Sequence, residues 1–158
     1  MALIVENGTG KPDADSYVSV ADASAYHSAM GNLAWADLDV LVMEAALRRA
    51  TQYLDTRHQF AGDPLTSTQA LAWPRDVAPW PVKRVQDACC ELALRASTGA
   101  LYADQGDAPV TEETVGPITV KYGAGQNGGQ TRFAVVDDLL RGLLRVSGRM
   151  TLRLERAS

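Results

Sequence analysis

At 158 residues, 46% hydrophobic and 22% charged, the chain is long enough for one domain with a real core and has the composition of an ordinary globular protein. A net charge of −4 with only three lysines (Lys11, Lys83, Lys121) excludes the broad positive field that holds nucleic acid unaided. No apolar run approaches the roughly 20 residues of a membrane span, and Met1–Lys11 carries no basic leader, so a soluble, unprocessed protein is expected.

Ser19 followed by Asp22 has the form of a helix N-cap. Val18, Ala21, Ala25 and Tyr26 offer an apolar side to a first helix that should end near Met30, where Gly31-Asn32 supplies a stop. Trp35 leads into the strongest helical pattern of the chain, from Asp37 to about Asp55. There Met43, Ala46, Leu47, Ala50, Tyr53 and Leu54 recur at helical spacing, with Glu44, Arg48, Arg49 and Gln52 on other faces.

The stretch Thr66 to Arg75 reads as a joint between helices. Thr66 with Gln69 three residues later resembles a capping box, which predicts a short helix from Thr66 to about Ala72. Pro74 restrains Trp73 and places it at a fixed corner. Gln69, Leu71, Trp73, Pro74 and Arg75 are therefore singled out as a structural motif and not a chemical one. Pro81 suits the first turn of the next helix, which runs to about Thr98 before Gly99 ends it. Val82, Val85, Cys89, Leu92 and Ala96 fall on one stripe of that helix, so Cys89 is expected to be a small buried hydrophobe without reactivity. Cys89 and Cys90 are adjacent and lack CxxC spacing, which points to a reducing compartment instead of a disulfide framework or a metal site.

After Tyr102 the character changes. Ala103–Pro109 is a polar connector, and Thr111–Tyr122 is rich in β-branched residues, with Ile118, Val120 and Tyr122 alternating against Thr119 and Lys121. Gly116-Pro117 is not a favoured two-residue hairpin turn, so a bent arm and a hairpin both remain open. Gly123 to Thr131 is a flexible connector by composition. A last helix is expected from about Ala134 to Ser147, with Val136, Leu139, Leu140, Leu143 and Leu144 inward and Gly148 closing it. Beyond it Met150, Leu152 and Leu154 alternate with Thr151, Arg153 and Glu155, the period of a strand that needs a neighbour. The predicted architecture is mainly α. It comprises a small bundle of about four helices with an extended β arm or hairpin in a domain spanning residues 1–148, and a strand-like docking tail at 149–158.

Charge is unevenly placed. Residues 1–47 hold seven acids (Glu6, Asp13, Asp15, Asp22, Asp37, Asp39, Glu44) against Lys11, whereas residues 132–158 hold six arginines (Arg132, Arg141, Arg145, Arg149, Arg153, Arg156) against Asp137, Asp138 and Glu155. The ends therefore carry −6 and +3, which suits head-to-tail contacts between copies, or one acidic and one basic partner surface.

Chemistry finds little purchase. Gly123-Ala-Gly-Gln-Asn-Gly128 satisfies GxGxxG, but the parallel βαβ units of a dinucleotide fold are missing. His27 and His58 lack ligand spacing, no GxSxG elbow occurs, and Glu112-Glu113 and Asp137-Asp138 diverge as sequence neighbours. No enzyme, cofactor or metal is expected. The competing reading is single-stranded DNA binding, with Arg141, Arg145, Arg149 and Arg153 as a basic stripe and Trp73, Trp80 and Tyr122 as stacking rings.

Four stretches occur in an order that carries a resemblance: Asp15-Ser-Tyr-Val-Ser-Val-Ala-Asp-Ala-Ser-Ala-Tyr, Ala45-Ala-Leu-Arg-Arg-Ala-Thr-Gln-Tyr-Leu-Asp, Gln69-Ala-Leu-Ala-Trp-Pro-Arg and Val115-Gly-Pro-Ile-Thr-Val-Lys-Tyr, with Trp35 between the first two. Over about residues 13 to 145 the chain resembles the head-to-tail connector, or adaptor, proteins of tailed bacteriophages, including a branch labelled DnaT-like single-stranded DNA-binding proteins. The resemblance implies a structural virion protein without catalytic residues. It would be made in the host cytoplasm and act at the head-to-tail junction as a homo-oligomeric ring of twelve copies. On that reading Ile118, Val120 and Tyr122 lie between subunits, and Arg149, Met150, Leu152, Arg153 and Leu154 dock on the portal protein. The ring would receive a tail or stopper protein, with nonspecific contact to packaged DNA in its lumen.

Overall fold

The computed structural model describes residues 2–102, 112–115, 118–121 and 133–146. Its elements in chain order are α1 (Val20–Ala29), α2 (Leu33–Ala36), α3 (Val40–Arg57), α4 (Lys83–Thr98), β1 (Glu112–Val115), β2 (Ile118–Lys121) and α5 (Ala134–Leu139). The protein is mainly helical, and α3 packed on α4 forms its centre.

α3 buries every position its periodicity nominated, namely Met43, Ala46, Leu47, Ala50, Tyr53 and Leu54, together with Thr51. α4 buries Val85, Cys89, Leu92 and Ala96 from the expected stripe, and also Ala88, Cys90, Glu91 and Ala93, because α1, α3 and α5 all lie against it. Leu47, Leu54 and Leu92 are fully enclosed between these helices, and each such side chain contributes roughly 1.5–3 kcal/mol of burial free energy. Pro81 lies outside the first turn of α4, since Val82 is the N-cap residue.

α1 begins as its cap predicts: the Ser19 hydroxyl accepts from the Asp22 N–H at 3.0 Å and donates to the Asp22 carboxylate at 2.8 Å. Its inward face differs from the expected one. Ala21 and Ala25 are exposed, and α1 buries Ala23 and His27 instead. The imidazole can be buried because both nitrogens are used, Nε2 against the Cys90 carbonyl at 3.0 Å and Nδ1 against the Asn32 amide at 3.0 Å. Burial lowers the pKa of His27, and these bonds fit a neutral ring. Trp35 sits in α2, a one-turn helix not foreseen in the sequence, with its indole N–H donating to the Ser24 hydroxyl at 3.1 Å.

Residues 66–72 are not helical, contrary to expectation. Half of the capping box does form: the Gln69 side-chain oxygen accepts from the Thr66 N–H at 2.9 Å. The other half is diverted, because the Thr66 hydroxyl turns to the Gly10 carbonyl at 3.5 Å, and the Gln69 amide binds the carbonyls of Leu71 and Pro74 at 2.8 and 3.0 Å. Backbone groups that a helix would have paired internally are thus taken by side chains and by distant segments of chain.

α5 is also shorter than its predicted extent to Ser147. It ends at Leu139, and Gly142 follows with φ +87°, a left-handed conformation that leaves the helix and that side-chain-bearing residues rarely adopt. The chain then pairs with residues 59–61: the Ala61 N–H donates to Leu143 O, and the Arg145 N–H donates to Gln59 O. Leu140 is fully buried, while Leu139, Leu143 and Leu144 are partly buried against the core, so the apolar residues still face inward without a continuous helix.

β1 and β2 pair antiparallel, with Glu112 opposite Lys121 and Val115 opposite Ile118. The Gly116-Pro117 connection, Tyr122, the Gly-rich run 123–131, Gly148 and the tail 149–158 lie outside the described residues.

Candidate functional site

The predicted motif at Trp73 is a packed corner in which side chains bind backbone. Trp73 is fully buried and meets Phe60 edge to face with ring centroids 5.6 Å apart. Pro74 is buried behind it, and the Trp73-Pro74 peptide is cis, as is Trp80-Pro81. Arg75 spends its guanidinium on main-chain carbonyls: Nε donates to Ala61 O at 2.8 Å, one terminal nitrogen to Ala72 O at 3.1 Å and the other to Gly62 O. Gln69 and Leu71 are half-buried in the same turn. The structure therefore brings together all five residues of the motif, and in this packing Trp73 presents no face to a nucleic-acid base.

Beneath this corner lies a polar triad with no local sequence signature. The Tyr17 hydroxyl donates to Asp55 Oδ1 at 2.5 Å and accepts from the Trp73 N–H at 3.1 Å, while Asp55 Oδ2 accepts from the Ala72 N–H at 3.0 Å. Burial raises the Asp55 carboxyl to about 6, against the opposing pull of the Tyr17 hydroxyl, the Ala72 N–H and Arg75. Burial and the neighbouring Asp55 charge push the Tyr17 hydroxyl well above its ordinary value, so it remains a donor.

A second buried acid also escaped sequence reading. Glu6 Oε1 accepts from the N–H groups of Asn7, Gly8 and Gly10 at 3.1, 2.8 and 3.0 Å, and Oε2 accepts from the Lys11 N–H at 2.9 Å. Gly8, at φ +97°, lets this loop close: a Cβ there would stand 2.8 Å from Trp80 Cδ1. Glu91 is a third, held by the Tyr26 hydroxyl at 2.8 Å and Arg95 at 2.8 Å. Burial pushes its carboxyl upward, but these partners outweigh burial and hold it below the usual range. All three carboxylates are thereby committed to structure. Burial likewise drives the Cys89 thiol up to about 11 and raises that of Cys90, in keeping with inert thiols.

The surface has two contrasting ends. Five of the nine large apolar side chains exposed among the described residues fall within residues 30–42: Met30, Leu33, Val40, Leu41 and Val42. Exposed Asp37 and Asp39 and half-buried Glu44 flank them. At the other end, an open groove of about 660 Å³ runs beside α5, bordered by Ala134, Leu144, Arg141, Arg145 and Val146. Asp138 there pairs with Arg141 at 2.5 Å, and Asp137 faces His58 at 3.7 Å.

A third feature gathers rings. Tyr53 lies 5.1 Å from Tyr102 and 5.6 Å from Phe133, and the Arg57 guanidinium stands 4.9 Å above the partly exposed Tyr102 ring. Tyr102 also borders a recess lined by Arg49, Gln52, Ser97 and Thr98. Of the rings proposed from sequence for stacking, Trp73 is buried, Trp80 is half-buried against Tyr17, and Tyr122 lies outside the described residues.

The model of the family described as "Putative DnaT-like ssDNA binding protein" matches residues 1–157. The chain belongs to that family. Neither the curated proteins nor the solved structures contain a match to it. Among the described residues there is no group of three or more His, Cys, Asp or Glu placed to hold a metal ion, and no helix long and apolar enough to cross a membrane. Ile118 and Val120 lie in β2, whereas Arg149, Met150, Leu152, Arg153 and Leu154 fall outside the described residues.

Proposed function

We propose that this protein is a structural subunit of a tailed-bacteriophage particle. Copies form a ring, twelve by the resemblance to connector proteins, that joins the capsid portal to the tail or stopper and continues the DNA channel. The observation that carries this reading is the concentration of exposed apolar side chains at residues 30–42 on a body in which Tyr17, Asp55 and Arg75 spend their polar groups on internal bonds. Patches of that kind are completed by other protein surfaces. The β1–β2 arm, with Ile118 and Val120, is assigned to contacts between copies together with Tyr122 next in sequence, and residues 149–154 to the portal. The decisive test is imaging of labelled protein in mature particles, where a ring at the portal vertex is expected and absence from particles overturns the proposal. Deleting residues 149–158 is expected to leave a folded protein that no longer joins portal-bearing capsids; unchanged attachment would remove the tail assignment.

The family match favours a second reading, single-stranded DNA binding. The rings suited to it are Tyr102 under Arg57, with Arg49 nearby, since an exposed aromatic beside arginines can stack a base and bind its phosphate. If this reading holds, Tyr102→Ala should weaken binding of an oligothymidylate by roughly 5- to 100-fold, and affinity should fall steeply with salt. Fluorescence-anisotropy titration measures both, and an unchanged titration for the variant excludes the site.

A further inference from the structure

We infer that the apolar end at residues 30–42 of one copy docks into the groove beside α5 of a second copy, so that the chain carries both halves of one head-to-tail interface. The inference rests on the ring reading only in requiring more than one copy.

Position supplies the first argument. Val40, Leu41 and Val42 are the first three residues of α3, while Met30 caps the end of α1 and Leu33 opens α2, the two helices that lead into it. The groove is anchored at the opposite end, where Leu143 and Arg145 bond to Ala61 and Gln59, just past the last residue of α3. With 18 residues rising 1.5 Å each, α3 separates the two surfaces by about 27 Å. One copy therefore cannot cover its own patch with its own groove.

Charge supplies the second. No Lys or Arg occurs between Lys11 and Arg48, so Asp37, Asp39 and Glu44 make the apolar end acidic. The groove bears exposed Arg141 and Arg145, and the neighbouring Arg84 donates to the Arg141 carbonyl at 3.1 Å. Asp137 and Asp138 also line the groove and balance Arg141 and Arg145 in number, so the positive excess comes from the neighbouring Arg84, and with Asp138 paired to Arg141 it is Arg145 that is offered to an incoming acid. Val146, 73% exposed at the groove edge, gives Leu33 and Leu41 an apolar counterpart. The alternative symmetric pairing, patch on patch, would bring Asp37 and Asp39 of both copies together and is disfavoured by repulsion. A contact between unlike surfaces repeats from copy to copy, which closes into a ring or extends as a filament.

Mixing experiments on the full chain test this. Leu41→Asp breaks the patch and Arg145→Asp breaks the groove; Leu33→Asp serves as a second patch variant, and circular dichroism verifies that each is folded. Sedimentation velocity of the unaltered protein should show species larger than a dimer growing with concentration. Each variant alone should associate at least about tenfold more weakly. A mixture of Leu41→Asp with Arg145→Asp should form one-to-one pairs and nothing larger, because only one intact patch and one intact groove remain between them. A full chain that stays monomeric at its highest soluble concentration, an unaffected Leu41→Asp variant, or folded variants that fail to complement each other overturns the inference. Should the mixture complement while the protein is absent from particles, the ring-at-portal reading fails and the interface stands. Assembly into particles without complementation means that the interface fails and the ring reading stands.

Discussion

Trp73→Ala is expected to cost about 3–5 kcal/mol of stability, the range for emptying a fully buried large aromatic site. The loss goes beyond the indole volume. Trp73 packs on Phe60, and its backbone N–H is the donor that completes the Tyr17 hydroxyl. A collapsed corner would loosen that bond and the Arg75 contacts to Ala61, Ala72 and Gly62 together. The indole N–H itself has no partner among the described residues, so Trp73→Phe removes an unsatisfied donor as it removes volume. That variant should therefore cost less than half as much as Trp73→Ala. Urea unfolding followed by fluorescence of the remaining tryptophans measures both, and equal losses would show that indole volume is not what the corner requires.

The second large effect belongs to Asp55 and depends on pH. Because the folded protein raises this carboxyl to about 6, its contribution to stability is complete below the ordinary aspartate range and is lost as pH rises through about 6. Other groups act in the opposite direction. His27, whose pKa is lowered, and Glu91, whose pKa is also lowered, both destabilise the fold as pH falls. The Asp55 effect is therefore read as a difference between proteins. The stability of the unaltered protein minus that of Asp55→Asn should grow by about 2 kcal/mol between pH 7 and pH 4, since each pKa unit corresponds to about 1.4 kcal/mol before discounting for partial exposure. Asp55→Ala should be worse than Asp55→Asn at every pH, because it strands the Tyr17 hydroxyl and the Ala72 N–H. A pH-independent difference in urea midpoints would show that Asp55 titrates normally.

These two predictions concern the same small volume, where residues 17, 55 and 73 meet across three separate stretches of chain. Such a meeting point has consequences for function. On the proposed adaptor reading, the joint between α3 and the loop before α4 would keep the apolar end and the α5 groove at a fixed separation. The proposed interface depends on that separation. Softening the joint through Trp73→Ala should therefore weaken association between copies as well as lowering stability.

Several elements could be read from residue order. The cap at Ser19, the apolar spacing of α3 and α4, the end of α4 at Gly99 and the burial of Cys89 all express local rules, in which a residue and its neighbours three or four positions away decide the outcome. A corner at Trp73 was also readable, because a proline after a tryptophan restricts backbone wherever it occurs. Tertiary structure decided the rest. Thr66 and Gln69 had the residues of a capping box, yet Gly10, Leu71 and Pro74 captured their side chains, and no helix formed. α5 stopped early because residues 59–61 bound the backbone that its last turns would have paired. Nothing local marked Glu6 or Asp55 as a structural acid, and only the folded chain brought backbone N–H groups to them. The physical division is one of range: helical periodicity and capping depend on neighbours along the chain, whereas buried polar bonds and exposed apolar ends depend on which distant segments come together.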